Sequence, residues 1–264
     1  MAYPILDCGS GPEKAFAGLC ALIVMAKAPR VGRVKTRLSP TLAAEDACRL
    51  NVCFLRDTTQ NLSRAAELTG KAAGLISYTP VGEESLFDDL LPIGFHLMAQ
   101  RGDGFGERLL CTAQDIFAKG FGSVCLIDSD SPTVPTQAFV HAIEELHRPG
   151  DRVVLGPSQD GGYYLIGMKR AHPEPFEGIS WSTSRVAEET RARCSGAGIE
   201  LIELPVWYDV DDAASLRILV EELRHGYRPS FATLDGYRAL ITAEFLSSLD
   251  LISQPALSAN SVAP

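Results

Sequence analysis

Short apolar runs closed by turn-forming residues alternate with longer amphipathic stretches along most of the chain. Residues 19–26 (LCALIVMA), 73–78 (AGLISY), 95–99 (FHLMA), 124–127 (VCLI), 152–156 (RVVLG), 163–168 (YYLIGM) and 199–207 (IELIELPVW) read as strands. The intervening segments read as helices. The first is 39–66, where Ser39-Pro40 offers a capping hydroxyl and a first-turn proline, and Leu50, Phe54, Leu55, Thr58 and Leu62 form one stripe. A brief acidic helix follows at 83–91, then helices at 107–119, 135–147, 184–197 and 211–224. A last helix at 234–249 carries Leu234, Tyr237, Ile241 and Phe245 on one face. Such alternation predicts an α/β fold with a mainly parallel sheet and helices on both of its faces. Residues 1–18 read as an N-terminal extension, 19–250 as a single domain that includes the C-terminal helix, and 251–264 as a flexible tail of small polar residues.

Composition narrows the classes of function. At 264 residues with 46% apolar content, the chain can bury the core of one large domain. A formal net charge of −9 speaks against broad nucleic-acid binding, which needs clustered Lys and Arg, yet it leaves room for a local basic site. The seven cysteines are scattered and contain no CxxC, a pattern of free thiols in a cytoplasmic protein; Cys125 reads as a small core residue. Five isolated histidines show no metal-ligand spacing and read mostly as surface residues. The longest clean apolar run near the start, residues 19–26, is too short to enter a membrane as a span.

Candidate chemistry gathers where strands end. The run 124–135 (VCLIDSDSPTVP) places Asp128 and Asp130 two residues apart on extended backbone, pointing the same way. Like charges that close need a cation or a shared proton, and a divalent metal is the simplest answer; the alternative is a turn that caps the next helix. After the first strand, KAPRVGRVKTRL brings Lys27, Arg30, Arg33, Lys35 and Arg37 into one loop with Gly32, either a phosphate cradle or a solvated basic loop. It lacks the GxxxxGK[ST] pattern of a P-loop. In RGDGFGER, Asp103 could contact a ribose or nucleobase and Arg108 an acidic neighbour. Asp160-Gly161-Gly162 is a hairpin signal, and also a place where a ligand can approach the backbone closely beside a carboxylate. In WYDVDD, Asp209 and Asp211 repeat the spacing of Asp128 and Asp130, with helix capping by Asp211 or Asp212 as the competing role.

The order of these motifs (MAKAPRVGRVKTRLSP, RGDGFGERL, LIDSDSPTVP, GPSQDGGYYLIGM, FEGISWST, DVDD) resembles a bacterial family of glycosyltransferase-like proteins associated with radical-SAM and selenoprotein gene neighbourhoods. That family lies in the nucleotide-diphospho-sugar transferase superfamily (GT-A fold). It is similar also to phospholactate guanylyltransferases and molybdenum-cofactor nucleotidyltransferases. The resemblance covers about residues 19–223. It implies a Rossmann-like three-layer α/β/α sandwich with a mainly parallel mixed sheet, binding a nucleotide through Mg2+ or Mn2+. Carried over, it puts Lys27, Ala28, Arg30, Gly32, Lys35, Arg37 and Asp103 at the nucleotide and its phosphates. Asp130 with Asp128 falls at the metal, and Asp209 or Asp211 supplies a further ligand, so that Asp130 plus a residue of DVDD is the preferred pair. Gly161, Gly162 and Trp181 line the acceptor side. Asp130, Asp160 and Lys35 are the candidate catalytic groups.

The leading expectation is therefore metal-dependent transfer of a sugar from a nucleoside diphosphate sugar to a small-molecule acceptor. The first loop has no GGxG, which tilts the reading away from a nucleoside triphosphate. The alternatives are nucleotidyl transfer to a phosphorylated acceptor and a non-catalytic nucleotide-binding module. No nucleic acid or membrane insertion is expected; the chain could form a homo-oligomer.

Overall fold

The computed structural model describes residues 2–251 except 8 and 40. Seven strands form one sheet: β1 (Cys20–Lys27), β2 (Ala72–Thr79), β3 (His96–Ala99), β4 (Ser123–Ile127), β5 (Arg152–Pro157), β6 (Tyr163–Met168) and β7 (Glu200–Glu203). Their spatial order is β3-β2-β1-β4-β6-β5-β7. Central β1 is parallel to both neighbours, with Val24 opposite Ile76 on β2 and Ile127 on β4. β6 runs antiparallel to β4 and β5, and parallel pairing resumes between β5 and β7. The sheet is thus mainly parallel and mixed, as expected, and the Asp160-Gly161-Gly162 signal does join an antiparallel pair.

Because side chains alternate across a strand, β1 feeds two cores. Leu22 and Val24 pack on one face with α1 (Ala44–Thr69), α3 (Thr136–His147), α5 (Ala213–His225) and α6 (Leu240–Ser248). Ala21 and Ile23 pack on the other with α2 (Phe105–Ala118) and α4 (Val186–Gly196). The result is a three-layer α/β/α sandwich. Both central strands read as continuous apolar runs because both of their faces are covered.

Several element boundaries differ from the sequence expectation. The first helix begins at Ala44, after a 3-10 turn at Thr36–Leu38, and carries Glu45 and Asp46 in its first turn. The expected start at Ser39-Pro40 lies partly outside the described residues, as do residues 252–264 of the expected tail. The acidic helix shrinks to a 3-10 turn, Glu84–Phe87, with Asp89 in a left-handed conformation (φ 58°) just beyond it. Only Glu200–Glu203 of residues 199–207 is strand. The last helix starts at Leu240, so Leu234 and Tyr237 precede it; Asp57 on α1 fixes that start by accepting from Ile241 N (3.2 Å) and Thr242 N (2.7 Å). The stretch before β1 packs on the body rather than trailing from it, with Leu6 and Phe16 buried and Ile5 bridged to Leu97. His172 is buried, its Nε2 3.0 Å from Asp151 Oδ2, because the carboxylate satisfies the ring where apolar packing encloses it. Cys125 sits in the core. Among the described residues no helix is long and apolar enough to cross a membrane.

Candidate functional site

β1, β2, β3, β4 and β5 all end on one edge of the sheet, and antiparallel β6 begins there. Loops leaving that edge carry the candidate side chains, at the edge where open α/β sheets generally bind ligands. Two lobes of one cleft open along it, of about 280 Å3 and about 670 Å3. Lys27, Arg37, Arg108, Ser129, Asp130 and Asp211 line both.

Lys35 lines the smaller lobe, beside the Asp130 and Asp211 that line both. Its backbone is left-handed (φ 50°), which turns the side chain inward, and only 3% of that side chain is exposed. The ammonium donates to Val210 O at 2.6 Å, pairs with Asp130 Oδ1 at 2.7 Å, and lies 3.4 Å from Asp211 Oδ1. Phe54 covers it, with 5.2 Å from Nζ to the ring centroid. Arg37 approaches the other oxygen of Asp211 at 3.4 Å. One backbone bond, Val210 N to Asp130 O at 2.9 Å, ties the two acidic segments together. The basic loop and the strand-end carboxylates therefore meet directly.

The four aspartates are not equivalent. Asp128 follows β4 and is locked by Ser131 Oγ at 2.6 Å and Asp130 N at 3.3 Å. Burial, then the charges of Asp130 and Asp209, push its carboxyl well above the ordinary range, against the Ser131 hydrogen bond. Asp209 accepts from Ser158 Oγ at 3.0 Å. Burial, followed by Asp160 and Asp211, raises it to about 6. Asp212 caps α5, accepting from Ala214 N and Ser215 N at 2.9 Å each, which leaves Asp211 free to face Lys35. In the DVDD segment, capping and site roles thus fall to different residues.

Among the described residues no three His, Cys, Asp or Glu side chains converge as a preformed metal cage. Asp130 and Asp211 are two carboxylates of the kind through which proteins hold an ion such as Mg2+ while substrate phosphates complete the shell. A buried carboxyl like Asp128, beside a second acid, also needs a proton or a cation. The residues present fit a divalent ion in this mode.

The remaining sequence candidates divide. Lys27 lines both lobes. Ala28 and Arg30 face a neighbouring cavity of about 420 Å3, where Arg30 pairs with Glu83. Gly32 forms the exposed turn of the basic loop (φ 71°). Asp103 sits at the exposed approach to α2, its N–H held by Glu107 Oε2 at 2.8 Å, and lines neither lobe. Asp160 and Gly162 line the larger lobe, joined by a 2.8 Å bond from Gly162 N to Asp160 Oδ1. Gly161 instead serves packing: with φ 90°, an added Cβ would come within 2.0 Å of Ser184 O. Trp181 lines the larger lobe, edge-on to Phe105 at 5.1 Å and to Tyr163 at 6.4 Å between ring centroids.

Sequence reasoning missed Asn51, Thr79 and Gln100, which line the smaller lobe, and Tyr163 in the larger. Tyr163 directly follows Asp160-Gly161-Gly162 and could have been found there. Nothing local marks Asn51, a helix residue whose buried Oδ1 has no hydrogen-bond partner among the described residues.

The bacterial family DUF2064, described as an uncharacterized protein conserved in bacteria, matches residues 62–183. No curated protein matches the chain. Among solved structures, a candidate nucleotide-diphospho-sugar transferase from Desulfovibrio desulfuricans G20 is 31% identical, covering 88% of this chain and 96% of its own, at a TM-score of 0.74. CMP:2-keto-3-deoxy-manno-octonic acid synthetase complexed with CTP is 14% identical over 76% of this chain and 96% of its own, at a TM-score of 0.49. A manganese complex of Rv0371c from Mycobacterium tuberculosis H37Rv is 16% identical over 78% of this chain and 99% of its own, at a TM-score of 0.47.

Proposed function

The chain belongs to the bacterial family DUF2064 and is a relative of the candidate nucleotide-diphospho-sugar transferase from Desulfovibrio, and from that premise we propose that it transfers a sugar from a nucleoside diphosphate sugar to a small acceptor. One observation carries the reading: five cations, Lys27, Arg33, Lys35, Arg37 and Arg108, line the smaller lobe where it meets Asp130 and Asp211. A diphosphate needs that density of positive charge, and its position at the carboxyl edge of the sheet suits a nucleotide.

Lys27, Arg33, Arg37 and Arg108 bind the diphosphate oxygens and oppose the charge that develops on the leaving group. Lys35 holds Asp130 and Asp211 toward each other, and these two carboxylates would hold a Mg2+ or Mn2+ ion. Bound there, the ion supplies Lewis-acid neutralisation of the departing diphosphate. Asp160, which lines the larger lobe, takes the proton of an acceptor hydroxyl.

A thermal-shift panel tests this, comparing nucleoside diphosphates, sugar nucleotides and nucleoside triphosphates with and without Mn2+. A ligand at about a hundred times its dissociation constant should add roughly 2.7 kcal/mol of stability. Sugar nucleotides are expected to shift the melting point in the presence of the ion, and no shift with any nucleotide would remove the site assignment. Pyrophosphate release from a nucleoside triphosphate that requires a phosphorylated acceptor would replace sugar transfer with nucleotidyl transfer.

A further inference from the structure

Resting on the sugar-transfer reading, we propose that the larger lobe takes an uncharged acceptor: a ring compound that carries a free hydroxyl and no phosphate. The two lobes differ sharply in charge. The cations lining the larger lobe, Lys27, Arg37 and Arg108, all line the smaller one as well and stand at the junction. The lining that belongs to the larger lobe alone has no Lys or Arg among the described residues. It has instead the carboxyls of Asp128 and Asp160, the rings of Tyr163 and Trp181, and the hydroxyls of Ser182 and Thr183.

An acceptor phosphate placed deep in this lobe would face the Asp160 carboxylate with no counter-cation of its own, and juxtaposed like charges are a standard means of rejecting a ligand. Neutral rings meet the opposite situation. Phe105 and Tyr163 fix the Trp181 indole edge-on. The bare Cα of Gly106 lets that indole lie against the first turn of α2, since a Cβ there would come within 2.8 Å of it. A rigid aromatic side chain beside hydroxyls and carboxylates is a surface for a ring with an apolar face and a polar edge.

The transfer then balances within the cleft. The acceptor oxygen bonds to the anomeric carbon, and the bond from that carbon to the diphosphate oxygen breaks. Its electron pair leaves on the nucleoside diphosphate, held by the basic lobe. The hydroxyl proton passes to Asp160, whose Oδ1 already accepts from Gly162 N at 2.8 Å.

Saturation-transfer NMR on the full chain tests the lobe directly, using phenyl β-glucoside and phenyl β-glucoside 6-phosphate as probes. The neutral probe is expected to bind, and its phosphate to bind at least roughly tenfold more weakly because of the Asp160 carboxylate. Trp181→Ala should weaken the neutral probe by roughly tenfold, the value of one good aromatic contact. Asp160→Asn should narrow the gap between the two probes, a change that loss of packing alone would not produce. Methyl β-glucoside and 4-methylphenol, tested separately, distinguish a saccharide ring from an aryl ring as the group recognised. Equal or tighter binding of the phosphate, or neutral binding that survives Trp181→Ala, overturns the proposal. The nucleotide panel separates the two levels: nucleotide shifts with no neutral probe bound overturn the acceptor assignment alone. Neutral probes bound with no nucleotide shift would uphold the lobe and remove the sugar-transfer reading beneath it.

Discussion

Replacing Lys35 with Met isolates the ammonium. The two side chains are similar in length and neither is β-branched, so the left-handed backbone at φ 50° is about equally strained in both. The substitution strips Val210 O, Asp130 and Asp211 of a donor at 2.6, 2.7 and 3.4 Å respectively. Removing one partner of a fully buried ion pair costs about 3–5 kcal/mol. Here the carboxylate side chains are 32% and 34% exposed, so water can replace part of what is lost. The expected cost falls to about 1–3 kcal/mol. At about 2 kcal/mol the melting temperature of a domain this size drops by roughly 4–8 °C. A second effect follows from the same geometry. Deprived of their internal cation, Asp130 and Asp211 become a more strongly negative pair, so Mn2+ should raise the melting temperature of Lys35→Met further than that of the native chain. Thermal unfolding followed by circular dichroism, with and without Mn2+, reads both effects. A variant that melts at the native temperature, or that Mn2+ stabilises no more than the native chain, would refute the view of Lys35 as the cation that holds this pair.

Glu222 on α5 is buried, where Tyr208 OH and Thr133 Oγ1 donate to it and burial raises its carboxyl from 4.5 to about 7. The folded form keeps its proton where the unfolded chain has lost it, so this contribution to stability is complete below about pH 4.5 and is lost as pH rises to about 7. Glu222→Gln has no charge to bury and should gain on the native chain by roughly 3 kcal/mol at most between pH 5 and 8 in urea unfolding; a constant difference across that range would contradict the shift. Asp212→Ala should cost about 1 kcal/mol through the lost cap of α5, while leaving any nucleotide-dependent thermal shift in place. Gly161→Ala places a Cβ 2.0 Å from Ser184 O at a backbone φ of 90°. It should destabilise the chain by more than about 2 kcal/mol, and a native-like melting temperature would show that the chain leading into α4 can move aside.

What the sequence discloses here is decided by the range of each interaction. Strands are legible because a sheet covered on both faces demands uninterrupted apolar runs, and residues 20–27 and 123–127 show them plainly. The strand-end motifs are legible for a related reason: turn formers and acids stand out where an apolar run stops. Features fixed by distant partners are not. α6 begins at Leu240 because a carboxylate on α1, 184 residues away from Ile241, caps it, and no pattern near Leu240 contains that information. Lys35 illustrates the limit most sharply. In sequence it is one of five similar cations in a basic loop, a run that reads either as a solvated loop or as a phosphate cradle. Its partner Asp211 lies 176 residues further on, in a segment whose own i, i+2 spacing suggested only metal binding or capping. The two ambiguous segments resolve each other once they meet, because an ammonium held by two carboxylates and a backbone carbonyl is neither a surface charge nor a simple phosphate contact. The spacing rule also has a definite boundary. It groups Asp128 with Asp130 and Asp209 with Asp211, whereas their neighbours regroup them: Ser131 Oγ donates to Asp128, Ser158 Oγ donates to Asp209, and Lys35 joins Asp130 to Asp211.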